Sequence, residues 1–447
     1  MQSIIVKPTS SLIGTMTVPG DKSLSHRALL IGALADGVVT ITGFLHGEDP
    51  QATLNCLREL GVGITIEQGY GENGGGAVVV NGVGGKLRKP PKPLYVGNSG
   101  TTIRILSGIL AAQAFDSEIY GDASIAHRPM RRIVEPLTLM GAKIEGKEVD
   151  GQLYPPLKIF GRKLKGINYK LPVASAQVKS ALLLAGLLAE GNTVIEEPAP
   201  SRDHTERMLL ALGVKLHREG NKIQVEGPQR FAGDIEIFVP GDISSAAFFM
   251  VAAALGLEAD LQIKNVGLNP TRTGILEVLH RMGAPYEIIN EELLSEEPRG
   301  DVKIQNPKSK IQNSNAQKLK AIEIGGALVP RLIDEIPIIA VLATQAQGRT
   351  VIRDAHELRV KESDRIATVC AELNKMGAQL TATADGMVID GPTKLHGANV
   401  KSFGDHRLAM ALSIAALCAE GETQIDDVEC VETSFPGFFE VLKSVCK

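Results

Sequence analysis

The chain has 447 residues, more than one hydrophobic core usually serves, so two or three domains are expected. Forty-seven Lys and Arg against 51 Asp and Glu leave a formal charge of −4, which gives no reason to bind nucleic acid or an anionic membrane. No apolar run reaches the ~18–20 residues of a membrane span, and five scattered cysteines without metal spacing read as reduced thiols of a cytoplasmic protein. Met1-Gln2-Ser3 opens with no charged or apolar leader, so no targeting signal is expected.

In chain order, strand-like Ser3–Val6 comes first, then Val18-Pro19-Gly20-Asp21, which recurs as Val239-Pro240-Gly241-Asp242. Six runs rich in Ala, Leu and Ile line up behind these and related starts: Ala28–Ala35, Ile103–Ala112, Ala181–Ala189, Ala246–Leu255, Ile336–Ala343 and Leu408–Ala419. Apolar residues all round a helix mean burial on every side. A polar cluster precedes each run, and free N–H groups at a helix start favour anions, so six repeated anion sites are expected. A second, amphipathic helix closes each unit. Leu60-Gly61, Met140-Gly141, Leu212-Gly213, Met282-Gly283 and Met376-Gly377 read as its glycine-capped end, with strand residues following. The sixth such helix (Phe438, Val441, Leu442, Val445) runs into the C-terminus, so Ser3–Val6 is expected to supply the strand that should come next.

Similarity at a fixed period points to repeats. The reading is an α/β protein of two domains, each of three βαβαββ units around buried helices. The first covers 21–239; the second is discontinuous, 1–20 with 240–447. Two strands are expected to cross between the domains at the Val-Pro-Gly copies, with a ligand cleft there. A polar stretch at about 290–320 breaks the pattern and reads as an inserted hairpin or surface loop. The Gly-rich region 71–85 reads as a turn.

Cations gather near the presumed helix starts: Lys22, Arg27, Arg104, Arg128, Lys179, Arg202, Lys361, Arg365 and Arg407. Mutually repelling cations in one place call for a ligand with several negative charges, and Arg suits carboxylate and phosphate alike. Two carboxylates stand among them. Asp334 fits either a helix N-cap or an acid–base group, and Glu362 either a salt-bridge partner or an acid–base group. Phosphate-loop, Rossmann and nucleophile-elbow motifs are missing. The residues alone therefore indicate closure on a small polyanion and leave the reaction open.

Five motifs in order carry a resemblance. They are Lys22-Ser23-Leu24-Ser25-His26-Arg27, Asn98-Ser99-Gly100-Thr101-Thr102-Ile103-Arg104, Gly121-Asp122 through Arg128-Pro129-Met130, Arg359-Val360-Lys361-Glu362-Ser363-Asp364-Arg365 and Gly404-Asp405-His406-Arg407. Across essentially its whole length the chain resembles the enolpyruvyl transferases, and among them the second class of the EPSP synthase family. Ser201-Arg202-Asp203-His204-Thr205-Glu206 and Asn269-Pro270-Thr271-Arg272 match that class, whereas the first class has Ser at the place of Ala176 and Lys at that of Thr433. The resemblance implies an inside-out α/β barrel of two three-repeat domains. It implies transfer of the enolpyruvyl group of phosphoenolpyruvate to the 5-hydroxyl of shikimate 3-phosphate, with loss of phosphate, in the shikimate pathway to chorismate and the aromatic amino acids. It implies no metal or organic cofactor, no nucleic-acid or membrane partner, and a monomer. Shikimate 3-phosphate contacts would be Lys22, Ser23, Arg27, Ser175, Ala176, Gln177, Arg202, Asp334 and Lys361. Phosphoenolpyruvate contacts would be Lys22, Asn98, Gly100, Arg128, Gln177, Arg365 and Arg407. Asp334, Glu362 and Lys22 would be catalytic, and the phosphonate glyphosate would occupy the phosphoenolpyruvate site. The sister enzymes that use UDP-N-acetylglucosamine need a loop Cys, and Gly121–Met130 has none.

Overall fold

The structure, a computed structural model, describes residues 2–67, 76–255, 257–306 and 318–447. The chain gathers into two compact units. The first is Gly20–Val239 with Leu293–Glu297; the second is Met1–Pro19, Pro240–Glu292 and Pro298–Lys447.

The apolar runs become six buried helices: Lys22–Leu34, Gly100–Ala111 and Ala176–Leu188 in the first unit, and Ile243–Ala254, Ile336–Thr344 and His406–Leu417 in the second. All nine residues of Ile336–Thr344 are buried, as expected of a helix with no polar face. Each of the first five buried helices leads to a strand, an amphipathic helix and then a hairpin, and the sixth to a strand and an amphipathic helix. The second repeat shows the pattern: Leu94–Tyr95 runs parallel to Ser117–Tyr120, which pairs antiparallel with Gln152–Phe160, which pairs antiparallel with Lys143–Val149. Among the described residues, five sheets have four strands in this order and the sixth has three. Turning from the amphipathic helix into the hairpin needs a left-handed residue. Gly61 (φ +85°), Gly141 (+98°), Gly213 (+74°), Gly283 (+83°) and Gly377 (+90°) supply it.

Strands change places at the Val-Pro-Gly copies. Ser11–Thr17 precedes the first buried helix in sequence, yet pairs parallel with Glu258–Gly267 of the second unit. Ile235–Phe238 precedes the fourth, yet pairs parallel with Asp36–Thr42 of the first. Ser3–Val6 joins the sixth sheet, antiparallel to Thr423–Asp426 with Ser3 opposite Asp426. It lies beside the strand that follows the buried helix, the place other repeats give to the second hairpin strand. The place expected for it, directly after the amphipathic helix, is left out, and the sheet stops at three strands.

The expected insertion at about 290–320 is corrected over its first half. Glu287–Leu294 and Glu297–Asn306 are the regular hairpin of the fourth repeat, in the sheet with Glu258–Gly267 and Ser11–Thr17. The first of these strands is mostly exposed, so no apolar alternation marked it. Residues 307–317 lie outside the described residues. Of the Gly-rich region, Ala77–Val83 is an inner strand of its sheet, not a turn, and 71–75 lie outside the described residues.

Candidate functional site

Side chains already occupy most of the expected anion sites at helix starts. The backbone N–H of Leu24 donates to Asp21, that of Thr102 to Ser99, that of Val178 to Ser175, that of Ser244 to Asp242, and those of Arg407 and Leu408 to Asp405. Three of these caps are carboxylates, which offset the helix dipole before any ligand does. Six open anion sites are thus too many. What the helix starts contribute is the aim of the side chains just inside them.

In the first unit two clusters form. Lys22 opens its helix with Nζ 3.1 Å from Asp49 Oδ2. One turn on, the Arg27 guanidinium is 2 % exposed and donates to Ser23 O (2.9 Å), Thr205 Oγ1 (2.9 Å) and Ser180 Oγ (3.0 Å). Arg202 donates to Ser23 Oγ at 3.3 Å, so Ser23 stands between two guanidiniums. Ser175 caps the next helix, and Ala176 O accepts from Ser180 Oγ at 2.6 Å. The second cluster surrounds Gly100. A Cβ added there would lie 2.9 Å from Arg104 Nη1 and 3.0 Å from Arg128 Nη1. Arg104 donates to Gln177 Oε1 at 2.9 Å, Gln177 donates to Thr101 Oγ1 at 3.1 Å, and Arg128 donates to Ser124 Oγ at 3.1 Å. Asn98 is half-buried in the turn before this helix.

Lys179 leaves the group of ligand-binding cations. Its ammonium is fully buried, 2.8 Å from Glu197 Oε2 and 2.7 Å from Glu206 Oε1, and donates to Ser201 O. Burial raises the Glu206 pKa, against the pull of Lys179. His26, also buried, is held well below the usual imidazole value, first by burial and then by the charges of Lys22 and Arg27, so it is neutral. Its Nδ1 lies 2.7 Å from Thr53 Oγ1, which lies 2.6 Å from Thr102 Oγ1, which donates to Ser99. This hydroxyl chain ties the Lys22 helix to the Gly100 helix.

The second unit centres on Arg365, whose guanidinium is 1 % exposed. Arg365 donates to Asp405 Oδ2 (2.8 Å), Glu362 Oε2 (2.6 Å) and Asp334 Oδ1 (3.4 Å). Burial disfavours its charge, but Asp405, Glu362 and Asp334 outweigh this and raise its pKa, so it stays a cation. Lys361 Nζ reaches the same Asp334 Oδ1 at 3.2 Å. Asp334 is not a cap: the helix begins at Ile336, its N-cap is Glu335, and no side chain caps it. Glu362 is a salt-bridge partner of Arg365. Arg407 is 6 % exposed, and among the described residues its guanidinium has no carboxylate partner. Three carboxylates thus meet one buried guanidinium, and Lys361 shares Asp334 with it, so groups able to exchange protons are gathered among fixed cations. Among the described residues no cluster of three His, Cys, Asp or Glu could hold a metal ion, and no helix is long and apolar enough to cross a membrane.

Comparison with known proteins meets the sequence resemblance on the same ground. The family model described as EPSP synthase (3-phosphoshikimate 1-carboxyvinyltransferase) matches residues 6–442. The chain belongs to the EPSP synthase family. Proteins named 3-phosphoshikimate 1-carboxyvinyltransferase from Brevibacillus brevis and Bacillus thuringiensis are each 52 % identical, covering 98 % and 100 % of this chain and 99 % and 100 % of theirs. The solved EPSP synthase of Acinetobacter baumannii superposes with a TM-score of 0.84 at 46 % identity, over 100 % of this chain and 98 % of its own. The enolpyruvyl transferase NikO of Streptomyces tendae, at 18 % identity and TM-score 0.79, shares the fold over 99 % of this chain and 97 % of its own. Within this EPSP synthase frame, sequence reasoning missed Asp405 as the anchor of Arg365, Asp49 as the partner of Lys22, and Thr205 beside Arg27. Asp405 was within reach, because Asp21 and Asp242 hold the same cap position in other repeats.

Proposed function

We propose that this chain is a transferase that moves the enolpyruvyl group of phosphoenolpyruvate to the 5-hydroxyl of shikimate 3-phosphate, forming 5-enolpyruvylshikimate 3-phosphate and phosphate. The observation that carries the reading is Arg365. It is a fully buried guanidinium that holds both Asp334 and Glu362, with Lys361 on the same Asp334 oxygen. Asp334 takes the proton of the attacking hydroxyl while its oxygen bonds to the substituted carbon of phosphoenolpyruvate. Glu362 gives a proton to the methylene, which becomes a methyl group in a tetrahedral intermediate. Return of that methyl proton expels phosphate by C–O cleavage, with Lys22 at the bridging oxygen. Arg128, Arg365 and Arg407, with Asn98, Gly100 and Gln177, hold phosphoenolpyruvate. Ser23, Arg27, Ser175, Ala176, Gln177, Arg202 and Lys361 hold shikimate 3-phosphate, and Lys22 serves both. Fixed cations aimed at developing charge supply the larger part of such catalysis.

The reading takes each unit as a three-repeat domain, and the enzyme as a cytoplasmic monomer needing no metal or organic cofactor. Phosphate release with shikimate 3-phosphate, set against UDP-N-acetylglucosamine, tests the acceptor; release only with the nucleotide sugar would reverse the assignment. Glu362→Gln should leave binding of both substrates near normal while slowing turnover roughly 10²–10⁴-fold, the usual worth of a placed proton-transfer group. Unchanged turnover would remove Glu362 from proton transfer.

A further inference from the structure

The hexapeptide Ser201-Arg202-Asp203-His204-Thr205-Glu206 stands out in the sequence, yet the proposed substrate contacts use only Arg202. The other five side chains are engaged inside the first unit. Ser201 donates to Glu197, Asp203 accepts from Arg207 at 2.9 Å, His204 Nδ1 lies 2.8 Å from Glu297, Glu206 meets Lys179, and Thr205 accepts from Arg27. Thr205 is fully buried, and Ser180 is 1 % exposed.

The direction of these hydrogen bonds follows from counting protons. Ser180 spends its one hydroxyl proton on Ala176 O, so the 2.7 Å contact between Ser180 and Thr205 is donated by Thr205. Both hydroxyl oxygens are then acceptors toward Arg27: Thr205 takes Nε–H at 2.9 Å and Ser180 takes an Nη2–H at 3.0 Å. Ser23 O takes Nη1–H at 2.9 Å, so all three guanidinium nitrogens are fixed and the plane of the group is set. These three acceptors are neutral. They orient the group through neutral atoms, whereas the adjacent Lys179 meets two glutamates. That ion cluster also pins the two helices carrying Ser180 and Thr205, and through Ser201 the residue next to Arg202.

We propose that Thr205 and Ser180 are positioning residues that aim Arg27 at the anionic groups of the shikimate substrate, so that 201–206 is the mount of the two arginines on that side. The inference rests on the reading that Arg27 contacts shikimate 3-phosphate. Thr205→Val keeps the shape and removes the acceptor. It should raise KM for shikimate 3-phosphate about tenfold, the size expected for one hydrogen bond to a charged group. Its kcat and its KM for phosphoenolpyruvate should stay within about twofold. Thr205→Ser should restore the value, Ser180→Ala should shift it the same way, and titration with shikimate 3-phosphate alone should show the same loss. An equal rise in both KM values, or none, would overturn the mount. Arg27→Lys separates the two claims. If it raises KM for shikimate 3-phosphate while Thr205→Val does not, the mount fails and the role of Arg27 stands. If Arg27→Lys changes nothing, the role of Arg27 fails and the mount goes with it.

Discussion

Gly100 starts its helix without a side chain because two guanidinium groups lie where a methyl would go, at 2.9 and 3.0 Å. Both are ends of flexible side chains, so Gly100→Ala should fold normally while pushing Arg104 and Arg128 aside. Overpacking of this kind costs about 1–3 kcal/mol, and a ligand longer than phosphoenolpyruvate should feel more of it. Inhibition constants for glyphosate should therefore rise more than KM for phosphoenolpyruvate; equal changes would exclude steric selection at this position. His26 offers a pH prediction at the same scale. Burial holds its folded pKa well below the usual 6.5, Lys22 and Arg27 lower it further, and Asp21 opposes them. Above pH ~6.5 it is neutral in both states and has no effect. Below that the unfolded chain takes up a proton that the folded chain refuses, so stability falls, by up to about 1.4 kcal/mol per pH unit. Thermal melts from pH 7.5 to 5.5 should fall more steeply for the native chain than for His26→Asn; parallel slopes would show that His26 is protonated in the fold.

Between elements, the buried ions weigh most. Lys179→Met leaves Glu197 and Glu206 facing each other in the core, which should cost about 3–5 kcal/mol. Urea melts should show the deficit shrinking toward pH 5, as the stranded carboxylates take up protons in the folded state; a pH-independent loss would point to packing instead. This triad also marks where reading the sequence stopped. Buried helices were legible because apolar residues lie on all their sides, and glycine-capped helix ends because only glycine takes that backbone angle cheaply. The destination of a charge was not legible. Lys179 sits three residues into its helix much as Arg27 sits five into its own, but one meets carboxylates from another segment and the other meets hydroxyls. From about residue 290 the exposed strand Glu287–Leu294 reads as the start of an insertion, because a strand without a buried face has no pattern to read. At the proposed site the residues alone left capping and catalysis open for Asp334; the Ile336 helix start and the contacts to Lys361 and Arg365 remove capping.

For the molecule as a whole, Ser3–Val6 is one of three strands that the described residues give its sheet. Deleting residues 1–6 exposes Thr423–Asp426 on one edge and should destabilise the second unit while sparing the first. Hydrogen exchange should quicken around residues 399–426 and leave 20–239 unchanged; uniform protection would show that the strand is dispensable.

The exchange of Ser11–Thr17 and Ile235–Phe238 also sets a timetable for synthesis. The first unit draws its strands from 36–238, so its sheets can assemble once about 240 residues have been made. Ser3–Val6 leaves the ribosome first, yet its partner Thr423–Asp426 comes about 420 residues later. At 5–20 residues per second that is a wait of roughly 20–80 s. During it Ser3–Val6 has no native neighbour, and a folded first unit already sits behind it on the nascent chain.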